Sequence, residues 1–303
     1  MHKLPKLKLN FMANLKEVRT RIGSVKSTQQ ITKAMKMVAA AKLKRATDNI
    51  VKLRPYASKL NELLQRVSTG NTDSVFCQKK EEVKKVLVVL ITSDRGLCGA
   101  FNSNVIKEAI SLIDGKYSEQ NQAGNVDVLA IGKKGAEFLG RRDYKVNEQF
   151  MTLFSSLAFD DVREAPEYVM EAYEKGEYDV VELVYNEFKN VATQIVRAKQ
   201  YLPIEQESSE SNTSADATDY IYEPSKEYIE QELIPQSLKT EFFRAMLDSN
   251  ASEHGARMTA MDKATENAGE LLKDLKQVYN TTRQAHITKE ILEIVGGAAA
   301  LEN

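Results

Sequence analysis

The stretch LKEVRTRIGSVKSTQQITKAMKMVAAAKLKR, residues 15–45, decides the fold, because its apolar residues keep helical spacing for far longer than one ordinary globular helix. The apolar side chains recur at steps of three and four, at Leu15, Val18, Ile22, Val25, Ile31, Ala34, Met35, Val38 and Ala41. The wider step between Val25 and Ile31 predicts a stutter in the seam.

The helical pattern resumes at Ile50 and continues to Val67. Pro55 lies inside it and predicts a kink or an interruption near Arg54, because proline removes a backbone donor and crowds the preceding turn. We therefore expect a helical segment over residues 12–67.

A second long pattern runs from about Ser237, just after Pro235, to Val295. A helix of about sixty residues would be roughly 90 Å long, which exceeds the diameter of a small domain. Such a helix needs a partner along its apolar seam, and the helix at the other end of the chain is the obvious one. The pattern predicts an antiparallel coiled coil made from the two ends of the chain.

The middle of the chain alternates between strand and helix patterns. Apolar β-branched runs predict strands at Val86–Thr92, Val126–Ile131 and Asp179–Tyr185, and a fourth strand at Ala192–Leu202 that could be antiparallel. Helical stretches separate the first three strands, which indicates a mostly parallel sheet covered by helices. The predicted fold class is α/β plus a long antiparallel coiled coil, with a Rossmann-like α/β domain in the centre.

Four segments follow from these patterns. They are an N-terminal coiled-coil helix (12–67), an α/β domain (84–202), an acidic insertion or linker (203–234) and a C-terminal coiled-coil helix (235–303). Residues 205–218 are acidic, rich in serine and almost free of apolar side chains, which is typical of a flexible loop.

Charge is unevenly distributed in a chain whose net charge is only −1. Residues 12–66 hold 13 lysines and arginines against three acids, and residues 205–232 hold nine acids against one lysine. The basic helix could bind nucleic acid, but its lysines flank a packing stripe, so a solvated or partner-facing helix face is the better interpretation. Only Cys77 and Cys98 are present, without metal-ligand spacing, and no apolar run reaches transmembrane length.

The loop SDRGLCGAFN, residues 93–102, follows a strand and precedes a helix. Its glycines could let backbone amides bind a phosphate in a Rossmann-type enzyme, or they could simply form a tight turn, and the absence of a full GxGxxG or P-loop pattern favours the turn. No catalytic constellation can be assembled, and the carboxylates of Glu290 and Glu293 are explained equally well by a solvated helix face. We expect no enzyme activity, cofactor or metal in the isolated chain.

Four blocks of this sequence resemble the gamma subunits of F-type, proton-translocating ATP synthases. They are MANLKEVRTRIGSVKSTQQITKAMKMVAAAK (12–42), SDRGLCGAFN (93–102), YIYEP (220–224), and ASEHGARM (251–258) with YNTTRQAHITKEILEIV (279–295). The resemblance extends over about residues 12–301.

The resemblance implies a rotating central stalk whose terminal helices turn inside an alternating hexamer of alpha and beta subunits. The C-terminal tip would sit in an apolar bearing, and the head would dock with the epsilon subunit on the c-subunit ring. One copy per complex would couple proton flow to ATP synthesis or hydrolysis. The chain would then be peripheral on the cytoplasmic side of the cell inner membrane, reaching the membrane only through partners.

The resemblance also implies roles for single residues. Met35 and Lys36 would lie near the lower loops of the beta subunits, and Arg257 would lie near the neck of the shaft. Arg283 and Gln284 match a pair that hydrogen-bonds a beta-subunit loop, and Thr288 and Glu290 match positions tied to coupling efficiency.

Overall fold

The computed structural model describes residues 15–67, 74–78, 80, 82–191, 193–204 and 226–301. The chain divides into two compact units: one comprises residues 39–259, which we call the head unit, and the other comprises the chain up to Val38 with the chain from Ala260 onward, which we call the shaft unit. Two long helices, α1 (Leu15–Val67) and α7 (Lys226–Leu301), pass through both units. The acidic stretch 205–218 and the residues before 12 lie outside the described residues.

The head unit holds the α/β part of the chain. In chain order its further elements are β1 (Val86–Ile91), α2 (Phe101–Gly115), α3 (Ser118–Gln122), β2 (Val126–Ile131), α4 (Lys133–Gly140), β3 (Lys145–Asn147), α5 (Phe159–Val162), α6 (Glu164–Glu174), β4 (Val180–Phe188) and β5 (Gln194–Leu202).

The strands form one sheet in the order β3-β2-β1-β4-β5. β1 pairs in parallel with β2 and β4, β2 pairs in parallel with β3, and β5 is antiparallel to β4. This order confirms the predicted mostly parallel, Rossmann-like sheet with an antiparallel last strand. β3 was not predicted, because an edge strand of three partly exposed residues leaves no periodic pattern in the sequence.

Both faces of the sheet are covered, which explains why β1 is apolar along its whole length. Leu87, Val89 and Ile91 pack on one face with side chains of α6 and α7, and the side chains between them pack on the other face with α2. Phe242 of α7 is among the largest fully buried side chains, so α7 belongs to the core of the head unit.

Both prolines lie inside continuous helices. α1 runs through Pro55, so of the two predicted outcomes near Arg54 the interruption is wrong and the kink stays a prediction. α7 begins at Lys226 and runs through Pro235, so residues 226–234 of the predicted linker are helical. A proline inside a helix costs about 3 kcal/mol. Burial of Ile234 and Leu238 on either side of Pro235 offsets that cost, because each fully buried side chain contributes roughly 1.5–3 kcal/mol.

In the shaft unit, the buried and half-buried positions of α1 follow an unbroken heptad spacing. They are Leu15, Val18, Ile22, Val25, Gln29, Thr32, and Met35 with Lys36. The predicted stutter after Val25 is therefore wrong, and two of the predicted seam residues, Ile31 and Val38, are 59% and 58% exposed. The predicted seam differs from the observed one because polar side chains occupy seam positions, whereas the prediction counted only apolar side chains.

The matching seam of α7 in the shaft unit has the same spacing. Its positions are Met261, Thr265, Ala268, Leu272, Leu275, Tyr279 and Thr282. Steps of three and four on both helices are the repeat of a left-handed coiled coil, which agrees with the prediction from the two chain ends.

In the head unit the two helices meet through apolar side chains. Leu43, Ala46 and Ile50 of α1 form one buried cluster with Leu247 and Ala251 of α7. The ordered contacts in the shaft unit show that the pairing there is antiparallel, because Thr32 contacts Thr265 and the later residue Lys36 contacts the earlier residue Asp262.

Candidate partner-contact residues

Arg257 is held by the head unit itself. Its guanidinium donates to the carbonyl oxygens of Gly96 (2.5 Å) and Arg95 (3.2 Å), and it also forms an ion pair with Glu253, one turn earlier on α7. Its side chain is only 12% exposed. Burial is the largest influence on Glu253 and raises the pKa of its carboxyl group, while the hydrogen bond from Arg257 opposes that rise. Arg257 thus ties α7 to the loop after β1.

The loop over residues 93–102 satisfies its own polar groups. The side-chain oxygen of Asn102 accepts from the backbone N–H of Ser93 (2.9 Å), and the Asn102 amide nitrogen donates to the Ser93 hydroxyl (2.8 Å). Leu97 (φ 66°) and Gly99 (φ 61°) lie in the left-handed region, as in a tight reversal of the chain. This geometry fits the tight turn. The loop lies at the carboxyl end of β1, the end at which doubly wound folds bind ligands. In this chain Arg257 contacts the loop there.

The neighbouring turn after β2 is equally close-packed. A Cβ on Gly132 (φ 91°) would lie 2.0 Å from the carbonyl oxygen of Thr92, so only glycine fits there. The Thr92 hydroxyl accepts a hydrogen bond from the N–H of Gly135 at 2.9 Å. Backbone and side-chain atoms of the turn after β2 therefore pack closely against Thr92, at the carboxyl end of β1.

Met35 and Lys36 are half-buried on α1 in the shaft unit. Lys36 forms an ion pair with Asp262 of α7, with 2.5 Å between Nζ and Oδ1. Lys36 therefore links the two helices of the shaft and keeps part of its side chain exposed.

Arg283, Gln284, Thr288 and Glu290 lie together on the last part of α7. Within the described residues Thr282 is the last half-buried position of α7, and every residue from 283 to 298 is exposed. His286 and Glu290 approach within 3.3 Å (Nδ1 to Oε1), one turn apart on the same helix. The structure thus brings these four candidates onto one helical segment, whereas Arg257 lies in the head unit.

The same segment exposes large apolar side chains. They are Ile287, Ile291, Leu292, Ile294 and Val295, and Ile294 is 71% exposed. Apolar side chains grouped on an exposed helix indicate a surface that is buried by another molecule.

Sequence reasoning missed the polar contacts inside the shaft. The hydroxyls of Thr32 and Thr265 are 2.8 Å apart, and a Cβ on Gly269 would lie 3.1 Å from Nε2 of Gln29. Continuing the heptad from Val25 without a stutter would have placed Gln29 and Thr32 on the seam.

Two kinds of site are absent from the part of the chain that the structure describes. Its histidine, cysteine and acidic side chains form no group of three or more that could hold a metal ion. None of its helices has a stretch long and apolar enough to cross a membrane.

Comparison with known proteins agrees with the geometry. The family model described as ATP synthase matches residues 14–301. The ATP synthase gamma chain of Cytophaga hutchinsonii is 60% identical over 296 residues, covering 96% of this chain and 100% of that protein. The gamma chain of Flavobacterium johnsoniae is 56% identical over 293 residues, covering 96% and 99%.

Solved structures show the same fold. A chain of the Tetrahymena thermophila mitochondrial ATP synthase, from its central stalk and c-ring, has a TM-score of 0.55 and 29% identity, covering 77% of this chain and 99% of that one. A chain of the Euglena gracilis mitochondrial ATP synthase has a TM-score of 0.63 and 20% identity, covering 95% and 94%. From the family match and the near-complete coverage of the bacterial relatives, this chain belongs to the gamma chain family of ATP synthase.

Proposed function

We propose that this chain is the rotating central-stalk subunit that couples transmembrane proton flow to ATP synthesis or hydrolysis on the alpha and beta subunits. The observation that carries the proposal is the end of α7, which continues as a helix beyond its last seam position at Thr282 with every side chain of 283–298 exposed. Its five large apolar side chains would leave water on insertion into a partner.

In this proposal the chain does no chemistry itself. Its asymmetric shaft turns inside the alpha–beta hexamer and forces each catalytic site through different affinities in turn. The head binds the epsilon subunit and the c-ring, so the chain is held at the cytoplasmic side of the inner membrane by its partners.

The exposed residues of the shaft then have distinct tasks. Arg283 and Gln284 carry five and two side-chain donors respectively and can hydrogen-bond a loop of a beta subunit as the shaft passes. Thr288 and Glu290 extend this polar surface toward the apolar tip, and Met35 and Lys36 of α1 form a second contact zone. Arg257 acts differently in this scheme, because its guanidinium fastens the loop after β1 to α7.

The first test is reconstitution with separately purified alpha and beta subunits. We expect the chain to assemble with them into a stable complex that hydrolyses ATP, and a chain without residues 12–67 and 237–303 not to do so. If the full chain neither binds the subunits nor changes their ATPase activity, the proposal fails.

A second test addresses the polar contact at the end of the seam. Arg283→Ala with Gln284→Ala should lower ATP-driven proton pumping in the complete enzyme by roughly tenfold or more, since a lost charge-assisted hydrogen bond is worth about 1.5–3 kcal/mol. Lys276→Ala with Gln277→Ala is the matched control: both residues are exposed and lie one heptad earlier on the same face of α7. Equal pumping by the two double variants would remove Arg283 and Gln284 from the mechanism.

A further inference from the structure

Three consecutive layers of the shaft unit pair polar residues of α1 with residues of α7. Gln29 lies against Gly269, Thr32 bonds Thr265, and Lys36 pairs with Asp262. Steps of three and four residues forward on α1 are matched by steps of four and three residues backward on α7, so the three contacts belong to one antiparallel register. We call these contacts the polar layers.

We propose that the polar layers lock the register of the two shaft helices and thereby fix the axial spacing between the contact zone of Met35 and Lys36 and that of Arg283 and Gln284. Thr32 and Thr265 are positioning residues in this account. The register lock concerns this chain alone, and its consequence for coupling rests on the proposed function.

An apolar heptad seam does not by itself choose one register. A shift of seven residues again sets apolar layers against apolar layers, and it moves one helix by about 10 Å along the other. Such a shift would displace Arg283 and Gln284 by that distance relative to Met35. Polar residues at seam positions are the known device that selects one register, at some cost in stability.

The hydroxyl pair combines a buried Thr32 with a half-buried Thr265, and each hydroxyl also contacts its own helix. Thr32 is buried, its Oγ1 is 3.0 Å from the carbonyl oxygen of Gln29, and the Oγ1 of Thr265 is 2.7 Å from that of Met261. One hydroxyl can donate to its own helix while the other donates across the 2.8 Å gap between them. A shift of one heptad would set Thr32 opposite Met258 or Leu272, which offer no hydroxyl in return.

The two flanking layers favour the same register. Seven residues before and after Asp262 stand Gly255 and Gly269, so either shift would set Lys36 against a glycine and remove its ion pair. In the observed register Gly269 instead faces Gln29, where a Cβ would lie 3.1 Å from Nε2. The hydroxyl pair and the ion pair each contribute one interaction that the shifted register lacks, so each disfavours that register by up to roughly tenfold.

The test is disulfide cross-linking in the full chain with two reporter pairs. Val25→Cys with Leu272→Cys reports the observed register, and Val25→Cys with Tyr279→Cys reports a shift of one heptad. Peptide mass mapping separates these cross-links from any formed by Cys77 or Cys98, and circular dichroism checks that each variant is helical.

When the polar layers are intact, we expect the Val25→Cys, Leu272→Cys pair to cross-link and the Val25→Cys, Tyr279→Cys pair to cross-link very little. The triple variant Gln29→Leu, Thr32→Val, Thr265→Val leaves Lys36 in place. It should raise the ratio of shifted to native cross-link by roughly tenfold, since the hydroxyl pair is lost. Thr32→Ser with Thr265→Ser keeps the hydroxyls and should retain the native register. An unchanged ratio in a helical triple variant would overturn the lock.

The effect on coupling is measured in the complete enzyme. The triple variant should melt at an equal or higher temperature than the unsubstituted chain, because its seam is fully apolar, yet pump several-fold fewer protons per ATP. A purely structural role would move stability and pumping in the same direction. If register shifts but pumping stays intact, the lock stands and the link to coupling fails; if no complex forms even with the unsubstituted chain, it is the proposed function that fails.

Discussion

The two units use the same heptad spacing in α1 and α7 but fill it with different chemistry. In the head unit Leu43, Ala46 and Ile50 meet Leu247 and Ala251 in a buried apolar cluster. In the shaft unit the polar layers take the corresponding positions. Burial of apolar area supplies stability without choosing a register, whereas a hydroxyl pair or an ion pair chooses a register and supplies little stability. We therefore expect the two regions to answer differently to substitution.

The largest difference should come from truncating an apolar layer. Leu247→Ala should lower the free energy of unfolding by about 3 kcal/mol, because Leu247 is fully enclosed and its loss leaves a cavity. Thr265→Val in the polar layers should change it by about 1 kcal/mol, since valine keeps the volume of the side chain and removes only the hydroxyl, with its bonds to Thr32 and to the carbonyl oxygen of Met261. Chemical denaturation of the full chain measures both.

Leu271→Ala is the control for this pair, because Leu271 lies on α7 but is 40% exposed. If Thr265→Val proved as destabilising as Leu247→Ala, the distinction between the two regions would be lost.

The next largest effect comes from two titratable groups of α7 in the head unit, buried Asp248 and half-buried His254. Burial, opposed by Arg244 and Arg54 and aided by Glu187, raises the pKa of Asp248 to about 6. Burial, aided by Lys42 and Arg257, lowers the pKa of His254 to about 4.

The two shifts act in opposite directions on stability. Asp248 binds its proton more tightly in the folded than in the unfolded chain. Its contribution to the free energy of unfolding therefore falls as pH rises from about 4 to 6. Folded His254 holds its proton less tightly, so its contribution is lost as pH falls from about 6.5 to 4. The two effects largely cancel across that window.

Asp248→Asn should make the effect of His254 on the pH dependence of stability visible, because the opposing effect of Asp248 is removed. We expect about 2–3 kcal/mol of added stability at pH 7, from two pKa units at 1.36 kcal/mol each, together with a new loss of stability on acidification. His254→Gln should do the reverse and make the chain more stable at pH 4.5 than at pH 7. Urea midpoints at the two pH values give the answer, and parallel profiles for all three proteins would refute the assignment.

The smallest expected effect compares two helical glycines. Gly23→Ala should stabilise the chain by about 0.5–1 kcal/mol, since nothing lies within 4 Å of the added methyl group. Gly269→Ala should gain less or nothing, because its methyl group would lie 3.1 Å from Nε2 of Gln29. Thermal melts of both variants measure the difference, and an equal gain would show that the Gln29 layer is loosely packed.

The same comparison shows what the sequence could and could not predict. The run Val86–Thr92 predicted a buried strand by its length and β-branched residues, and the long seams predicted the paired helices by their helical spacing. Gln29 and Thr32 are polar and do not add to the apolar pattern. The pattern therefore predicted seam positions at Ile31 and Val38, which are exposed. A heptad of mixed chemistry can be recognised only when the register of the partner helix is known.

The contact residues show a similar limit. Arg283, Gln284, Thr288 and Glu290 were expected from resemblance, and the exposed end of α7 is where the structure places them. Nothing in the sequence indicated that Arg257 would turn inward to the carbonyl groups of residues 95 and 96, since a contact across 161 residues depends on the fold of the whole head unit.

Rotation of this chain relative to the alpha and beta subunits can be observed directly. A probe attached through Lys107→Cys, an exposed position on α2 of the head unit, would be followed in single complexes with immobilised alpha and beta subunits during ATP hydrolysis. We expect the probe to turn in one direction in repeated steps, and to stop when ATP is removed. A complex that hydrolyses ATP while the probe stays fixed would contradict the account of this chain as a rotating shaft.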